Sequence, residues 1–241
     1  MRLAFAVLSD IGRKRSANED AVHGRLDPKD PQTLLLVVAD GMGGAAAGEV
    51  ASRTAVETID EVYFAAREQS PEARLRAAVL AANERIARAG QEEKALRGMG
   101  TTCTALAIVG ATGYVAHVGD SRGYRLRGRT AITRLTRDMS VWAEHVRAGG
   151  SPSSEFGRNQ LLEAVGINPD LAPDMRGDID VMPGDRFLLC SDGLWGLVTD
   201  PELSEIAGGA PLDDACRSLV DLANRRGGHD NVSVVLAAVA D

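Results

Sequence analysis

An unbroken apolar run that ends in one carboxylate and several glycines constrains this chain more than any other stretch. Residues 34–39 read Leu-Leu-Leu-Val-Val-Ala, and Asp40, Gly41, Gly43 and Gly44 follow. The run is too short to cross a membrane and is typical of a strand buried on both faces. Because an ionised carboxylate is costly inside such a strand, we expect Asp40 where the strand opens into a loop.

The glycines after Asp40 allow the backbone to approach whatever that carboxylate binds, either a metal ion or a phosphate. The alternative is a plain glycine-rich turn in which Asp40 caps the turn or a helix. This segment alone favours neither interpretation.

The composition is that of an ordinary globular protein. The chain has 241 residues, 44% of them hydrophobic and 25% charged, and a formal net charge of −7. The acidic balance disfavours nucleic acid or an acidic membrane as a partner, and it fits carboxylates neutralised by divalent cations. Cys103, Cys190 and Cys216 are odd in number and widely spaced, which disfavours disulfides or a zinc site. No run is long enough for a bilayer span or a signal peptide, so we expect a cytoplasmic protein.

Periodicity predicts strands and helices along the whole chain. We expect strands at residues 3–8, 21–26, 34–39, 101–109, 113–118, 123–127, 131–135, 186–190 and 232–239. We expect helices at residues 48–67, 70–91 and 140–148, from residue 200, and at 213–226. Residues 136–138 should cap the helix at 140–148, and residues 149–154 form the most loosely specified loop.

Several acidic residues share a position at a strand boundary close to a glycine. They are Asp40, Asp120, Asp192 and Asp230, and Glu19 and Asp20 precede another predicted strand. One such residue is usually a turn residue, but so many indicate a shared site, since strand ends in a sandwich converge on one edge. Clustered carboxylates repel one another unless cations are bound, and all-oxygen ligation favours Mg²⁺ or Mn²⁺ over zinc. Two such ions can activate water for attack on phosphorus.

The loop before the second predicted strand carries both signs of charge. Arg13, Lys14 and Arg15 lie close to Glu19 and Asp20 in the sequence. Either the loop supplies a phosphate-binding cation beside metal-binding acids, or it is a solvated segment with internal ion pairs.

Seven short motifs occur in order along the chain. They are Arg-Ser-Ala-Asn-Glu-Asp at 15–20, Val-Ala-Asp-Gly-Met-Gly-Gly at 38–44, Gly-Met-Gly-Thr-Thr at 98–102, Gly-Asp-Ser-Arg at 119–122, Leu-Thr-Arg-Asp at 135–138, Ser-Asp-Gly at 191–193 and Gly-His-Asp-Asn-Val at 228–232. In this order and spacing they make the chain resemble, over nearly its whole length, the metal-dependent protein phosphatases of the 2C type (PPM family) in their short bacterial form.

The resemblance implies an α/β (α+β) fold: a four-layer α/β/β/α sandwich with two central antiparallel β-sheets flanked by helices. We expect one catalytic domain over residues 1–241, with a flap subdomain at about 138–166. The implied activity is hydrolysis of phosphoserine and phosphothreonine in proteins, which reverses a bacterial Ser/Thr kinase. We expect a monomer that binds neither nucleic acid nor membrane.

The resemblance also implies the metal ligands. Asp40 would bridge two Mn²⁺ or Mg²⁺ ions, and the Gly41 carbonyl would complete one coordination shell. Asp192 and Asp230 would hold the first ion. Bacterial relatives hold a third, weaker ion partly through the aspartate at the position of Asp120, together with Asp192.

Four further roles carry over by position. Glu19 would orient waters on the second ion, with Asp20 in support. Arg15 would clamp the substrate phosphate, because a guanidinium offers a bidentate fork. Asn231 would fix the loop of the last ligand.

The chain departs from the family pattern at two places. Some eukaryotic relatives use a histidine as general acid where this chain has Met42, which leaves a metal-coordinated water for that task. The flap begins Asp-Met-Ser at 138–140 instead of Asp-His-Ser and is abbreviated. Two alternatives to a protein phosphatase stay open: a non-catalytic regulator that keeps the fold, and a two-metal hydrolase of small phosphate esters.

Overall fold

The computed structural model describes residues 1–128, 131–151, 156–157 and 160–241. The strands there are β1 Arg2–Asp10, β2 Asp20–Asp27, β3 Asp30–Met42, β4 Gly100–Thr101, β5 Cys103–Val109, β6 Thr112–Val118, β7 Arg122–Arg127, β8 Ala131–Arg134, β9 Asp174–Asp180, β10 Asp185–Cys190 and β11 Val232–Ala240. The helices are α1 Ala45–Ala65, α2 Pro71–Glu92, α3 Val141–Arg147, α4 Asp192–Trp195, α5 Asp200–Gly209 and α6 Leu212–Arg225, with a 3₁₀ turn at Lys94–Leu96.

The strands form two antiparallel sheets. Sheet 1 has the order β1-β11-β10-β7-β8, and sheet 2 has the order β2-β3-β5-β6-β9, with β4 paired to the end of β3. Helices α1 and α2 pack on the outer face of sheet 2, and α5 and α6 pack on the outer face of sheet 1. The predicted four-layer α/β/β/α sandwich is therefore confirmed.

The apolar run of β3 is buried because both faces of sheet 2 are covered. Leu35 and Val37 pack toward α1 and α2, whereas Leu34, Leu36 and Val38 pack against sheet 1. This alternation follows from the two-residue period of a strand. It explains why the run contains no polar residue until Asp40.

Most element boundaries match the sequence-based expectation, but three differ in ways that bear on the site. Strand β3 continues two residues past Asp40, to Met42, because Gly41 and Met42 pair with β4. The strand expected at 101–109 is split into β4 and β5 at Thr102. Helix α3 is capped by Ser140, whose Oγ accepts from the Ala143 amide, and not by residues 136–138.

The edge strand β9 was not expected from the sequence. Its residues read Asp-Met-Arg-Gly-Asp-Ile-Asp, with apolar side chains only at Met175 and Ile179. It pairs with β6 through an irregular register. A strand so polar forms because β6 presents an unpaired edge, which no local pattern reveals.

Three sequence-based expectations fall partly on residues 129–130, 152–155 and 158–159. The tip of the β7–β8 hairpin and half of the loop at 149–154 therefore lie outside the described residues. The flap at 138–166 is described only in part. In the part of the chain that is described, no helix is long and apolar enough to cross a membrane.

Truncating Leu36 to Ala should lower the free energy of unfolding by about 3 kcal/mol, because its fully buried side chain lies between the two sheets. The matched control is Met182→Ala, at a position that is 45% exposed, and it should change stability by less than about 0.5 kcal/mol. Urea denaturation of the three proteins measures both values. Equal losses in the two variants would contradict the inter-sheet position of Leu36.

Candidate metal centre

A cavity of about 440 Å³ lies where strand ends of both sheets meet. Five carboxylates and one guanidinium line it, and they come from separate parts of the chain: Arg15, Glu19, Asp40, Asp120, Asp192 and Asp230. Gly41 to Gly44, Ser16, Ala17, Thr102 and Leu161 complete the lining. All but one of the acidic residues expected at the site therefore reach one cavity.

The backbone of Asp40 is fixed by two threonines, Thr101 at the end of β4 and Thr102 between β4 and β5. The Asp40 amide donates to Thr102 Oγ1 at 2.9 Å, and the Thr102 amide donates back to the Asp40 carbonyl at 2.8 Å. Thr101 Oγ1 donates to the same carbonyl at 2.9 Å. The split between β4 and β5 thus serves to hold Asp40, with its carboxylate free to face the cavity.

Gly41 is a position where no side chain fits. A Cβ there would lie 2.1 Å from the Gly48 carbonyl oxygen and 2.6 Å from that of Glu19. The Gly41 amide donates to the Glu19 carbonyl at 3.1 Å, which joins β3 to the loop that precedes β2. The close approach brings Glu19 beside Asp40.

Asn231 ties the loop at 11–19 to the start of β11. Its side-chain oxygen accepts from the Glu19 amide at 2.8 Å, and its amide nitrogen donates to the carbonyls of Ile11 and Ala17, both at 2.9 Å. Asn231 is 3% exposed, so these bonds are shielded from water. Its neighbour Asp230 is thereby held on the cavity wall.

Asp192 and Asp120 reach the cavity from sheet 1 and sheet 2, respectively. Asp192 is the first residue of the one-turn helix α4, which follows β10, and Asp120 lies between β6 and β7. Trp195 of α4 donates from Nε1 to the Asp120 carbonyl at 3.0 Å. This bond links the two acidic segments.

Asp20 does not line the cavity, although it follows Glu19 directly. Its Oδ2 accepts from Ser191 Oγ at 2.8 Å, and its Oδ1 is buried without a hydrogen-bond partner. Burial raises the pKa of Asp20 to about 7. The side chain lies behind the cavity wall, next to the segment that carries Asp192.

Arg15 is the one cation on the cavity wall. Its Nη2 donates to Asp230 Oδ2 at 2.7 Å, and its Nη1 lies 3.9 Å from a carboxylate oxygen of Glu19. The Arg15 side chain is 46% exposed, so it can move without leaving a buried charge unpaired. Sequence alone did not indicate that Arg15 pairs with Asp230.

The cavity disfavours the charged form of Asp40, Asp120 and Asp192. Burial raises the pKa of Asp40 well above its usual range, and the charges of Asp20 and Asp192 raise it further. Burial also raises the pKa of Asp120 to about 8 and that of Asp192 to about 6, with added repulsion from Asp192 and Asp230, respectively. A single arginine cannot balance these acids.

The donor set fits hard divalent cations. The cavity offers carboxylate, hydroxyl and backbone oxygens, with no thiolate or imidazole among its described lining residues, and oxygen ligands are what Mg²⁺ and Mn²⁺ prefer. Asp192 Oδ1 is buried without a hydrogen-bond partner, so one acceptor is free. As the side chains of the described residues stand, no group of three or more His, Cys, Asp or Glu is already arranged to hold an ion. Binding therefore requires rotation of side chains, including that of Asp230 away from Arg15.

Asp40 is supported by a buried hydrogen-bond chain that could not be predicted from the sequence. Thr102 Oγ1, which accepts from the Asp40 amide, lies 2.8 Å from Ser121 Oγ. Thr104 Oγ1 donates to the Ser121 carbonyl and lies 2.9 Å from Nδ1 of His117. Thr102 was part of a recognised motif, but His117 had no sequence signal, because its role depends on neighbours across strands.

Comparison with known proteins agrees with this geometry. A family model described as protein phosphatase 2C matches residues 12–237 of the chain. The chain belongs to the protein phosphatase 2C family.

The similarity extends to solved structures and to full-length members of this family. The crystal structure of the serine/threonine phosphatase PstP/Ppp from Mycobacterium tuberculosis has a TM-score of 0.88 and 35% identity, and covers 100% of both chains. A structure of the PstP catalytic domain in complex with two manganese ions has a TM-score of 0.86 and 36% identity, over 99% of each chain.

The chain spans about half the length of one of the relatives it matches. It is 36% identical to PstP of Mycobacterium tuberculosis over 99% of its own length but only 45% of that protein. It is 34% identical to the protein phosphatase PhpP of Streptococcus pneumoniae over 98% of both chains.

This family member should be stabilised by Mn²⁺. At about a hundred times the dissociation constant, binding adds about 2.7 kcal/mol, which raises Tm by roughly 5–10 °C for a chain of this size. Asp192→Asn should lose most of this rise, yet without metal it should be at least as stable as the wild type, since one repelling charge is gone. Asp221→Asn on the exposed face of α6 is the control and should keep the full rise. Thermal melts with and without Mn²⁺ measure these shifts, and an equal rise in all three proteins would contradict a metal site at Asp192.

His117 should make folding sensitive to acid. Burial lowers the pKa of His117 to about 4 from its ordinary 6.5, so the unfolded chain takes up a proton first as the pH falls. Stability from this group is complete above pH 6.5 and declines toward pH 4, by about 2 kcal/mol at pH 5. Urea unfolding at pH 7.5 and pH 5 should show this extra loss in the wild type relative to His117→Gln. The same pH dependence in both proteins would show that His117 is not buried in neutral form.

Proposed function

We propose that the chain is a protein serine/threonine phosphatase that uses two divalent cations, Mn²⁺ or Mg²⁺. The observation that carries the proposal is the convergence of five carboxylates from separate elements on one cavity beside Arg15. Its relatives support it, since PstP and PhpP are named as protein phosphatases and the PstP catalytic domain was solved with two manganese ions.

The proposed ligands follow their places on the cavity wall. Asp40 shares the cavity wall with Glu19 and Asp192 and would be the ligand common to both ions, with the Gly41 carbonyl in support. Asp192 and Asp230 would hold the first ion, and Asp120 would share a weaker third site with Asp192. The bound ions would supply a water activated for attack on phosphorus.

Glu19 and Asp20 have different tasks in this proposal. Glu19 lines the cavity and would orient water at the second ion. Asp20 acts from behind the wall, where its bond with Ser191 positions the backbone that leads into Asp192.

Arg15 binds the substrate phosphate in this proposal. Its guanidinium can exchange the Asp230 carboxylate for two phosphate oxygens, since both are anions and the side chain is half exposed. The exchange frees Asp230 for its ion. Arrival of substrate or cations would thus separate the ion pair that the structure shows.

A covalent cysteine mechanism is excluded by burial. Cys103, Cys190 and Cys216 are all buried, and burial raises the pKa of each thiol to about 12. None of them lines the described cavity. Water is therefore the nucleophile that this site supports.

The expected counterpart is a Ser/Thr protein kinase that phosphorylates the same proteins. We propose that the chain acts as a monomer in the cytoplasm, as one catalytic domain with a flap at about 138–166. The acidic net charge of −7 supports a protein substrate over nucleic acid.

Activity on an aryl phosphate and on a phosphothreonine peptide should require Mn²⁺ or Mg²⁺ and vanish with excess chelator. Asp40→Asn should lower kcat at least about a thousandfold, since the bridging charge contributes several kcal/mol to the transition state. Steady-state kinetics on both substrates measure the effect. Full activity in chelator would overturn the proposal. An inactive wild type that binds phosphopeptide would indicate a regulator, and preference for metabolite esters would indicate a small-molecule hydrolase.

Arg15→Lys should raise KM for a phosphothreonine peptide about tenfold, because an ammonium cannot make the bidentate contact. The matched control is Arg13→Lys in the same loop, outside the cavity lining, and its KM should stay within about twofold of wild type. If the two variants behaved alike, Arg15 would not contact the phosphate.

A further inference from the structure

A second cavity, of about 330 Å³, lies between β7, β8 and helix α3. Four arginines line it together with a single carboxylate: Arg122, Arg134, Arg137, Arg147 and Asp138. On a chain whose net charge is −7, this is a marked local excess of positive charge. None of these arginines has a role in the proposed chemistry.

One carboxylate serves two of the arginines. Arg122 donates to Asp138 from Nη2 at 2.7 Å and from Nε at 3.1 Å, and Arg134 donates to the same carboxylate. Arg134 Nε is buried and has no hydrogen-bond partner. Burial and the charge of Arg122 lower the pKa of Arg134. The pair thus shares one hydrogen-bonded carboxylate and keeps one unsatisfied donor.

The other two arginines add charge at the mouth of the cavity. Arg147 pairs with Glu144 at 2.7 Å and donates to the Asp138 carbonyl at 3.3 Å. Arg137 is exposed, and its guanidinium makes no hydrogen bond or ion pair with any residue that the structure describes. It is free to bind an incoming anion.

A third cavity, of about 470 Å³, borders both this region and the metal centre, and we call it the connecting cavity. It shares Arg122 and Trp142 with the arginine-lined cavity, and Asp192 and Asp230 with the metal centre. Trp195 forms part of its wall, and the Arg122 guanidinium stacks 3.5 Å from the centre of that ring. A polypeptide could therefore run from one site to the other along aromatic surface.

We propose that the arginine-lined cavity binds an anionic side chain of the substrate polypeptide, either an acidic residue or a second phosphorylated one, while the scissile phosphoresidue lies at the metal centre. Guanidinium groups bind carboxylate and phosphoryl oxygens through paired, charge-assisted hydrogen bonds. The inference rests on the proposed function, and it names the class of substrate: phosphoproteins with acidic residues near the phosphorylated one.

The test uses a set of phosphothreonine peptides in which a pair of glutamates is moved along an otherwise neutral sequence. At the best spacing, KM should fall about tenfold relative to the neutral peptide, with kcat within about twofold. Arg137→Gln should abolish this preference, and Arg137→Lys should restore part of it. The control, Arg88→Gln, changes an exposed arginine on α2 and should keep the preference. Turnover of p-nitrophenyl phosphate should be the same in all four proteins.

The outcomes separate this inference from the proposed function. The inference is overturned, and the phosphatase assignment stands, if the enzyme cleaves the aryl phosphate and all the peptides but has the same KM for the glutamate peptides as for the neutral one. The same conclusion holds if Arg137→Gln and Arg88→Gln have the same peptide preference. If no peptide is cleaved, the proposed function fails, and the inference is then tested by peptide binding.

The two tryptophans of the chain report this binding, because Trp142 and Trp195 both line the connecting cavity. A saturable change in tryptophan fluorescence on adding a non-phosphorylated glutamate peptide, lost in Arg137→Gln, would support the inference. The absence of a change, or a change equal to that caused by the neutral peptide, would overturn it.

Discussion

Carboxylates that are held together away from water repel one another, and this repulsion determines what the rest of the structure has to stabilise. Glu19, Asp40, Asp120, Asp192 and Asp230 share one cavity wall, and burial raises the pKa of Asp40, Asp120 and Asp192 there. Arg15 neutralises only part of this charge. The negative charge that remains is the physical reason for divalent cations at the site. Because these carboxylates repel one another, the surrounding backbone has to be fixed by interactions that do not depend on the cations.

The fold provides those interactions where strand ends of the two sheets meet. Thr101 and Thr102 hold the backbone of Asp40, and Asn231 joins the loop at 11–19 to the start of β11. Gly41 permits an approach that any side chain would block. The apolar side chains of β3 face the helices and the opposite sheet in turn, and they anchor this end of the strand between the two layers. Packing therefore compensates for the repulsion that function requires.

Much of this arrangement could be predicted because it is local in sequence. The run before Asp40 specified a doubly buried strand, and the repeated carboxylate near glycine indicated one shared site. Strand β9 could not be predicted, since an edge of sheet 2, and not its own pattern, makes it a strand. The position of Asp20 behind the wall, and the bond between Arg15 and Asp230, depend on which side chains meet across the fold. Asp138 was expected to cap a helix, but two arginines take its carboxylate.

Anomalous diffraction from crystals grown with Mn²⁺, recorded at the manganese absorption edge, shows whether the carboxylates gather two ions. We expect at least two manganese peaks inside the cavity, each within coordination distance of Asp40, with Asp230 turned from Arg15 toward one of them. Peaks elsewhere on the surface, or a cavity without manganese and with the Arg15–Asp230 pair intact at saturating Mn²⁺, would contradict it.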